Sequence, residues 1–179
     1  TFSQLVAEVL EVPFDAIDVG YGDTDKIKDG GGTHSGRSMR MGAIVLCDAS
    51  NKIIERARRI ASHVLEAAEA DIEYAETVFT VAGTDRRVSL FDVAAAARDR
   101  TDLPEDLRGE LKEEADVHFA KAVIGSGCHV CEVEIDPDTG VVDVVDWTAV
   151  DDVGRAINPM TLDGQTHGGV LQGIGQAIM

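Results

Sequence analysis

Apolar residues recur with helical spacing in several parts of the chain. Residues 1–10 predict an amphipathic helix, and residues 38–69 predict a much longer one. Ser89 is a candidate N-cap for a short helix, while Asn158 and Pro159 supply an N-cap and a first-turn proline for a final helix. The apolar face of the longest helix comprises Ile53, Ala57, Ile60, Ala61, Val64, Leu65 and Ala68.

Alternating apolar and polar residues predict strands and two hairpins. The stretches TVFTV (77–81) and RRVSL (86–90) flank AGTD, which is a hairpin signal. A stronger signal joins CHVCEVEI (128–135) to VVDVVDWTAV (141–150) through the turn sequence DPDTG. The stretch AIDVGYG (16–22) is a short strand candidate.

Taken together, these elements predict an α+β fold in which a mixed sheet with hairpins packs against one long helix. The chain of 179 residues suits one domain with a substantial core. Both ends lie inside helical patterns, so we expect residues 1–179 to be a partial domain of a longer protein. The segment 99–116 is strongly charged, and we expect a solvated surface loop there.

The charge balance restricts the possible partners. The chain has 33 acidic and 16 basic residues, which argues against nucleic acid or an anionic membrane as the main partner. It contains no signal peptide and no apolar run near the roughly 20 residues that span a bilayer. Three cysteines are too few for a disulfide framework, so we expect a cytoplasmic protein.

A glycine-rich stretch, GGGTHSGR (30–37), comes directly before the longest predicted helix. A helix N-terminus leaves about four backbone N–H groups unpaired and favours negative charge. Thr33 and Ser35 add hydroxyl groups, and Arg37 and Arg40 add cations. The stretch lacks the Walker A lysine and the dinucleotide-binding fingerprint. An anion site and a plain flexible loop therefore both fit the residues.

The final helix combines glutamines with five glycines. Gln165, Gly169, Gln172 and Gln176 share one face at 100° per residue. Each helical glycine costs about 1 kcal/mol relative to alanine, so we expect a ligand to approach this backbone closely. A polar, flat ligand would fit the amide side chains, although a solvent-facing stripe is the alternative. The face suited to the core comprises Thr166, Val170, Ile174 and Ile178.

Three segments carry a family resemblance, and they occur in the same order along the chain. They are GDTD…GGGTHSGRSM (22–39), CHVCEVEIDPDTGVV (128–142) and VDDVGRAINPMTLDGQTHGGVLQGIGQA (150–177). They resemble the molybdenum-binding large subunit of the xanthine dehydrogenase, aldehyde oxidase and carbon monoxide dehydrogenase family. The resemblance implies a molybdenum hydroxylase, an oxidoreductase that oxidises a purine or aldehyde-type substrate with water as the oxygen source. The motifs look closest to the xanthine dehydrogenase branch.

The resemblance also implies which residues contact the molybdopterin cofactor. They are Gly32, Thr33, His34, Ser35, Gly36, Arg37 and Ser38 in the loop, and Gln165, Gly168 and Gly169 in the final helix. It places a Gly-Gln-Gly-His-Glu segment and the catalytic glutamate outside residues 1–179, and FAD and iron–sulfur clusters on other domains or subunits. We therefore assign no catalytic residue and no metal ligand here, and expect residues 1–179 alone to be inactive.

Other readings of the candidate residues remain open. The chain could be a non-catalytic module that holds a phosphate or nucleotide at residues 30–37. Cys128 and Cys131 flank His129, but strand residues three apart point to opposite faces, so we expect core packing rather than a shared metal. We expect Cys47 to be buried in the longest helix. Finally, Asp23, Asp25 and Asp29 lack the spacing of an EF-hand loop.

Overall fold

In the computed structural model the chain divides into two units. The first unit is Thr1–His118 and the second is Phe119–Met179. The residues that the structure describes are 1–27, 31–34, 36–118 and 124–179. No helix among them is long and apolar enough to cross a membrane.

Three helices form the frame of the first unit. They are α1 (Phe2–Leu10), α2 (Arg37–Val64) and α3 (Leu90–Asp99). The long helix α2 confirms the prediction from the apolar pattern of residues 38–69, and it ends five residues earlier than expected. Helix α3 begins where predicted, because the Ser89 hydroxyl accepts a hydrogen bond from the Asp92 N–H at 3.1 Å.

A three-stranded antiparallel sheet lies against the helices of the first unit. Its strands are β1 (Ile72–Ala75), β2 (Val78–Val81) and β3 (Arg87–Ser89), in that order. The predicted hairpin is β2–β3, whereas β1 was not predicted. Tyr74 opposes Phe79 across β1 and β2, with ring centroids 4.6 Å apart. The largest fully buried side chains are Phe79, Ile60, Leu103, Leu107 and Val93.

The charged segment 99–116 is mostly exposed, as its composition predicts, but it is not wholly solvated. Leu103 and Leu107 are each only 1% exposed and belong to the core. The guanidinium group of Arg56 on α2 donates to the carbonyl oxygens of Arg108 and Lys112, at 3.3 and 3.2 Å. The buried leucines and the hydrogen bonds from Arg56 therefore hold the segment against α2.

The second unit contains a long hairpin and a helix. The hairpin consists of β4 (Ser126–Ile135) and β5 (Val142–Asp152), and the helix is α4 (Pro159–Ile178). The register shifts once, so Val145 of β5 is an extra, unpaired residue. The hairpin and the final helix both confirm the sequence predictions. Asn158 is the N-cap of α4, because its side-chain oxygen accepts a hydrogen bond from the Thr161 N–H at 3.1 Å.

A carboxylate holds the turn of this hairpin. Asp136 Oδ1 accepts hydrogen bonds from the backbone N–H groups of Thr139 and Asp138, at 3.0 and 2.8 Å. These bonds stabilise the ionised form and hold the pKa of the Asp136 carboxyl below its usual range. The turn sequence DPDTG therefore fixes the hairpin register through its first residue.

The α+β class is confirmed, with two differences in the strands. The described strands pair only antiparallel, in two sheets instead of one mixed sheet, because a short turn joins the two strands of every hydrogen-bonded pair. The predicted strand at residues 16–22 is wrong. A short 3₁₀ turn, Phe14–Ala16, occupies its start, and residues 17–22 pair with none of the described strands.

Candidate cofactor-binding site

The predicted loop leads directly into the N-terminus of α2. Gly36 is the N-cap and has φ of 64°, a left-handed conformation that glycine adopts without strain. Among the described residues, no side chain caps the first turn of α2. The positive end of the helix therefore favours an anionic ligand beside the loop.

The side chain of Arg37 folds back over the loop that precedes it. Its Nη1 donates to the carbonyl oxygen of Gly31 at 2.9 Å and lies 3.5 Å from Nε2 of His34. The backbone N–H of Arg37 also donates to the His34 carbonyl oxygen, at 3.0 Å. One arginine thus joins both ends of residues 31–37, which fits a role in shaping the loop.

Two hydroxyl groups meet across the same loop. The Ser38 hydroxyl donates to Thr33 Oγ1 at 2.9 Å. Because Thr33 accepts this bond, its own O–H hydrogen can be donated to a ligand. Thr33 is exposed, whereas Ser38 on the first turn of α2 is half-buried. Of the predicted contacts, Ser35 lies outside the described residues.

Helix α4 carries the second group of predicted contacts. Gln165, Gly168 and Gly169 are all exposed, as are Gln172 and Gln176. A Cβ atom built at Gly168 or Gly169 would meet no atom within 4 Å, so a ligand or another polypeptide can approach this backbone. The half-buried residues on the other side are Leu162, Thr166, Val170 and Ile174, while Ile178 remains 49% exposed.

Each of the two units presents its own set of hydrogen-bonding groups. The loop offers backbone N–H groups and a hydroxyl donor next to glycines that leave room for a ligand. Helix α4 offers amide side chains, which can both donate and accept, beside open backbone. Each set, taken by itself, suits a polar ligand rather than a bare metal ion.

The cysteines behave differently from the prediction of core packing. Cys128 and Cys131 are both exposed, and Cys47 in α2 is half-buried. The hairpin pairing does put Cys128 and Cys131 on opposite faces, as expected. Their core prediction fails because every residue of β4 is exposed in this structure. Among the described residues, no three His, Cys, Asp or Glu side chains could share a metal ion.

Sequence reasoning missed a polar network across the β4–β5 hairpin. The Trp147 indole N–H donates to Nδ1 of His129 at 3.3 Å, so the imidazole N–H is on Nε2 and donates to Asp151 Oδ1 at 3.0 Å. The two rings meet edge to face, with centroids 6.0 Å apart. His129 and Trp147 lie diagonally across the hairpin whose strands the sequence predicts. This position could have indicated their contact.

Comparison with known proteins identifies the family. The sequence profile of the molybdopterin cofactor-binding domain matches residues 1–179. The chain belongs to this family. The finding confirms the resemblance carried by the three motifs, and it agrees with the donors found at the loop and on α4.

Relatives of the chain are subunits of larger enzymes. The chain is 36% identical over 177 residues to the 6-hydroxypseudooxynicotine dehydrogenase complex subunit gamma of Paenarthrobacter nicotinovorans. It is 34% identical over 182 residues to the carbon monoxide dehydrogenase large chain of Hydrogenophaga pseudoflava. These matches cover 98% and 99% of the chain, but the chain spans only 22% of either relative.

A solved structure agrees with the fold. Quinoline 2-oxidoreductase from Pseudomonas putida 86 superposes with a TM-score of 0.82 at 34% identity. The match covers 98% of this chain and 22% of that protein. The predicted fold class is therefore confirmed by a related protein as well as by the secondary structure.

Proposed function

We propose that residues 1–179 supply part of the molybdopterin site in the large subunit of a molybdenum hydroxylase. The family match over residues 1–179 carries this proposal. The parent enzyme oxidises its substrate with water as the source of the incorporated oxygen. When bound, the molybdenum cofactor supplies the two-electron redox chemistry, and the residues described above bind and orient it.

Each predicted contact has a role that follows from its chemistry. The N–H groups at the start of α2 and the Thr33 hydroxyl bind acceptor oxygens of the cofactor. Arg37 positions the loop through its bond to Gly31. Gln165 pairs with polar edges of the cofactor, and Gly168 and Gly169 let it lie close to the α4 backbone.

The substrate we propose is a purine or an aldehyde-type molecule, as the motifs indicated. The names of the relatives refer to nicotine derivatives, carbon monoxide and quinoline. Purine and quinoline are both aromatic rings that contain nitrogen. A panel of purines, quinolines and aldehydes, assayed with the full-length enzyme and an artificial electron acceptor, would rank these substrate classes.

The partners we propose are subunits or domains that carry FAD and iron–sulfur clusters. The relative from Paenarthrobacter nicotinovorans is named as one subunit of a complex, which supports a multi-subunit parent enzyme. Electrons removed from the substrate would leave through these partners.

The experiment that tests the function is an analysis of the purified full-length protein for molybdenum and pterin. We expect about one molybdenum and one pterin per large subunit. A protein without molybdenum that still binds a nucleotide would contradict the proposal and favour the non-catalytic phosphate- or nucleotide-binding module instead.

A further inference from the structure

Three side chains join the two strands at the open end of the β4–β5 hairpin. His129 directly opposes Ala149, and its diagonal neighbours on β5 are Trp147 and Asp151. The imidazole of His129 accepts from the Trp147 indole N–H and donates to Asp151 Oδ1. Because the indole can only donate, it sets the tautomer that lets His129 reach the carboxylate. This group of His129, Trp147 and Asp151 is here called the His129 network.

Gly127 provides the space in which the Asp151 carboxylate lies. The two residues are directly opposed in the register. A Cβ atom at residue 127 would collide with Asp151 Oδ1, which is the oxygen that accepts from His129. A glycine inside a strand weakens it and often marks the close approach of another group. The missing side chain at residue 127 therefore allows the hydrogen bond between His129 and Asp151.

The His129 network lies where β5 leads into the connection to α4. Strand β5 ends at Asp152, the residue after Asp151. Asp152 Oδ1 accepts a hydrogen bond from the Gly154 N–H at 3.0 Å, which forms a turn directly after the strand. The Asn158 side chain then caps the first turn of α4. Side-chain hydrogen bonds thus define the backbone at the end of β5, at the turn that follows and at the start of α4.

The direction of α4 depends strongly on this connection. No residue of α4, which the structure describes throughout, is buried, so packing contributes little to its orientation. The exposed residues Gln165, Gly168 and Gly169 are here called the cofactor face of α4. Gly168 lies about 15 Å along the helix axis from Asn158, so a tilt of about 10° at the helix start would displace it by about 3 Å. Displacements of about 1 Å are enough to impair a site.

We infer that His129 and Asp151 are positioning residues for the cofactor face of α4. The inference rests on the proposed function, in which this face contacts molybdopterin, and it assigns neither residue a contact with the cofactor. Their hydrogen bond fixes the end of β5, and the turn and the helix cap pass this geometry on to α4. The register of the hairpin is already fixed at its closed end by Asp136. The position of the network at the open end therefore favours a role in directing the chain that leaves the hairpin.

The test uses the full-length large subunit and separates the network from the general stability of the hairpin. His129→Leu removes both hydrogen bonds, whereas His129→Gln keeps a donor and an acceptor. Gly127→Ala leaves all three side chains of the network in place and displaces the Asp151 carboxylate. Val133→Ala is the matched control, because it weakens the same hairpin opposite Val144, away from the network. Molybdenum and pterin content, the rate of pterin release and Tm are measured for each protein.

We expect His129→Leu to release pterin about 10-fold faster than the wild type, a size typical of residues that orient ligand-contacting groups. Gly127→Ala should have the same effect, and it serves if His129→Leu does not fold. The two substitutions together should be no worse than either alone, because both remove the same hydrogen bond. His129→Gln should release pterin at nearly the wild-type rate. Val133→Ala should lower Tm without faster release.

Other results would overturn the inference. Wild-type release rates in His129→Leu and Gly127→Ala would mean that the network only joins the two strands. Equally fast release in Val133→Ala would mean that cofactor retention follows the stability of the hairpin. Fast release in His129→Gln would mean that the ring matters through its shape and not its hydrogen bonds. A wild-type protein with neither molybdenum nor pterin would instead contradict the proposed function, whatever the variants do, and the inference would fall with it.

Discussion

The guanidinium group of Arg37 donates a hydrogen bond to the carbonyl oxygen of Gly31, six residues earlier, at 2.9 Å. The bond closes the loop that precedes α2 and directs the Arg37 cation toward its own backbone. A Cβ atom at residue 31 would lie 2.8 Å from Nη1 and from Nη2 of Arg37. The glycine therefore allows this contact, and the two residues act as one unit.

The first prediction concerns Gly31→Ala in the full-length protein. The added methyl group would push the flexible guanidinium away and lose the bond to the carbonyl oxygen, at little cost in stability. We expect molybdenum and pterin content to fall while Tm changes by only a few degrees. Gly20→Ala is the control, since a Cβ there meets nothing within 4 Å. Equal cofactor content in both variants would contradict the positioning role of this contact.

The second prediction concerns Arg37→Ala, which removes the donor itself. Arg37 is half-buried and its side chain donates to the Gly31 carbonyl oxygen, so its loss should cost about 0.5–1.5 kcal/mol of stability. Cofactor occupancy should nevertheless fall, because the loop loses the bond that joins its ends. Arg98→Ala makes the same charge change at an exposed position of α3. Molybdenum analysis of both variants is the measurement, and unchanged occupancy in Arg37→Ala would leave the residue with no cofactor role.

Local interactions were predictable from the sequence, and long-range ones were not. The caps at Ser89 and Asn158 involve residues only three positions away, so short motifs specify them. The burial of Leu103 and Leu107 depends on α2, some 50 positions earlier. It was not predicted because the leucines lie among charged residues, which indicate exposure. Strand β1 was missed for the same reason, because its four residues are too few to predict a strand without their pairing partner β2.

The candidate site shows the same division. The glycine loop before a helix and the glutamine–glycine face of α4 follow from spacing alone. The direction of the Arg37 side chain does not, since an arginine beside a loop can point outward or fold back. Even the strongest hairpin prediction gave no indication that Cys128 and Cys131 would be exposed, because an alternating pattern says which residues share a face and not what covers it.

The third prediction concerns Tyr74, whose hydroxyl donates to the carbonyl oxygen of Leu10 at 2.5 Å. Burial, with the nearby Glu11 carboxylate, raises the pKa of Tyr74 to about 12. A raised pKa stabilises the fold while both states are protonated, and that stability is lost as pH rises from about 10 to about 12. Residues 1–179 should therefore lose stability over this alkaline range.

Substitution of Tyr74 tests this account. In Tyr74→Phe we expect a loss of about 0.5–1.5 kcal/mol at neutral pH, from the missing hydrogen bond, and a flatter alkaline response. Tyr21→Phe is the control, because Tyr21 is 84% exposed. Urea unfolding at several pH values from 7 to about 12 measures both effects. An alkaline response that is identical in the two variants would rule out Tyr74 as its source.

The last prediction is that residues 1–179, expressed alone, carry no molybdenum and have no activity. A buried polar ligand needs most of its polar groups paired, and the resemblance places one further cofactor segment outside this stretch. It places the general base outside as well, and loss of such a base removes about 10²–10⁴-fold in rate even when binding survives. The start of α2 could still bind a small anion such as sulfate through its N–H groups. The purified polypeptide is assayed for purine and aldehyde oxidation with an artificial acceptor, and its molybdenum is measured. Turnover with bound molybdenum would mean that the cofactor site and the general base are complete within these residues.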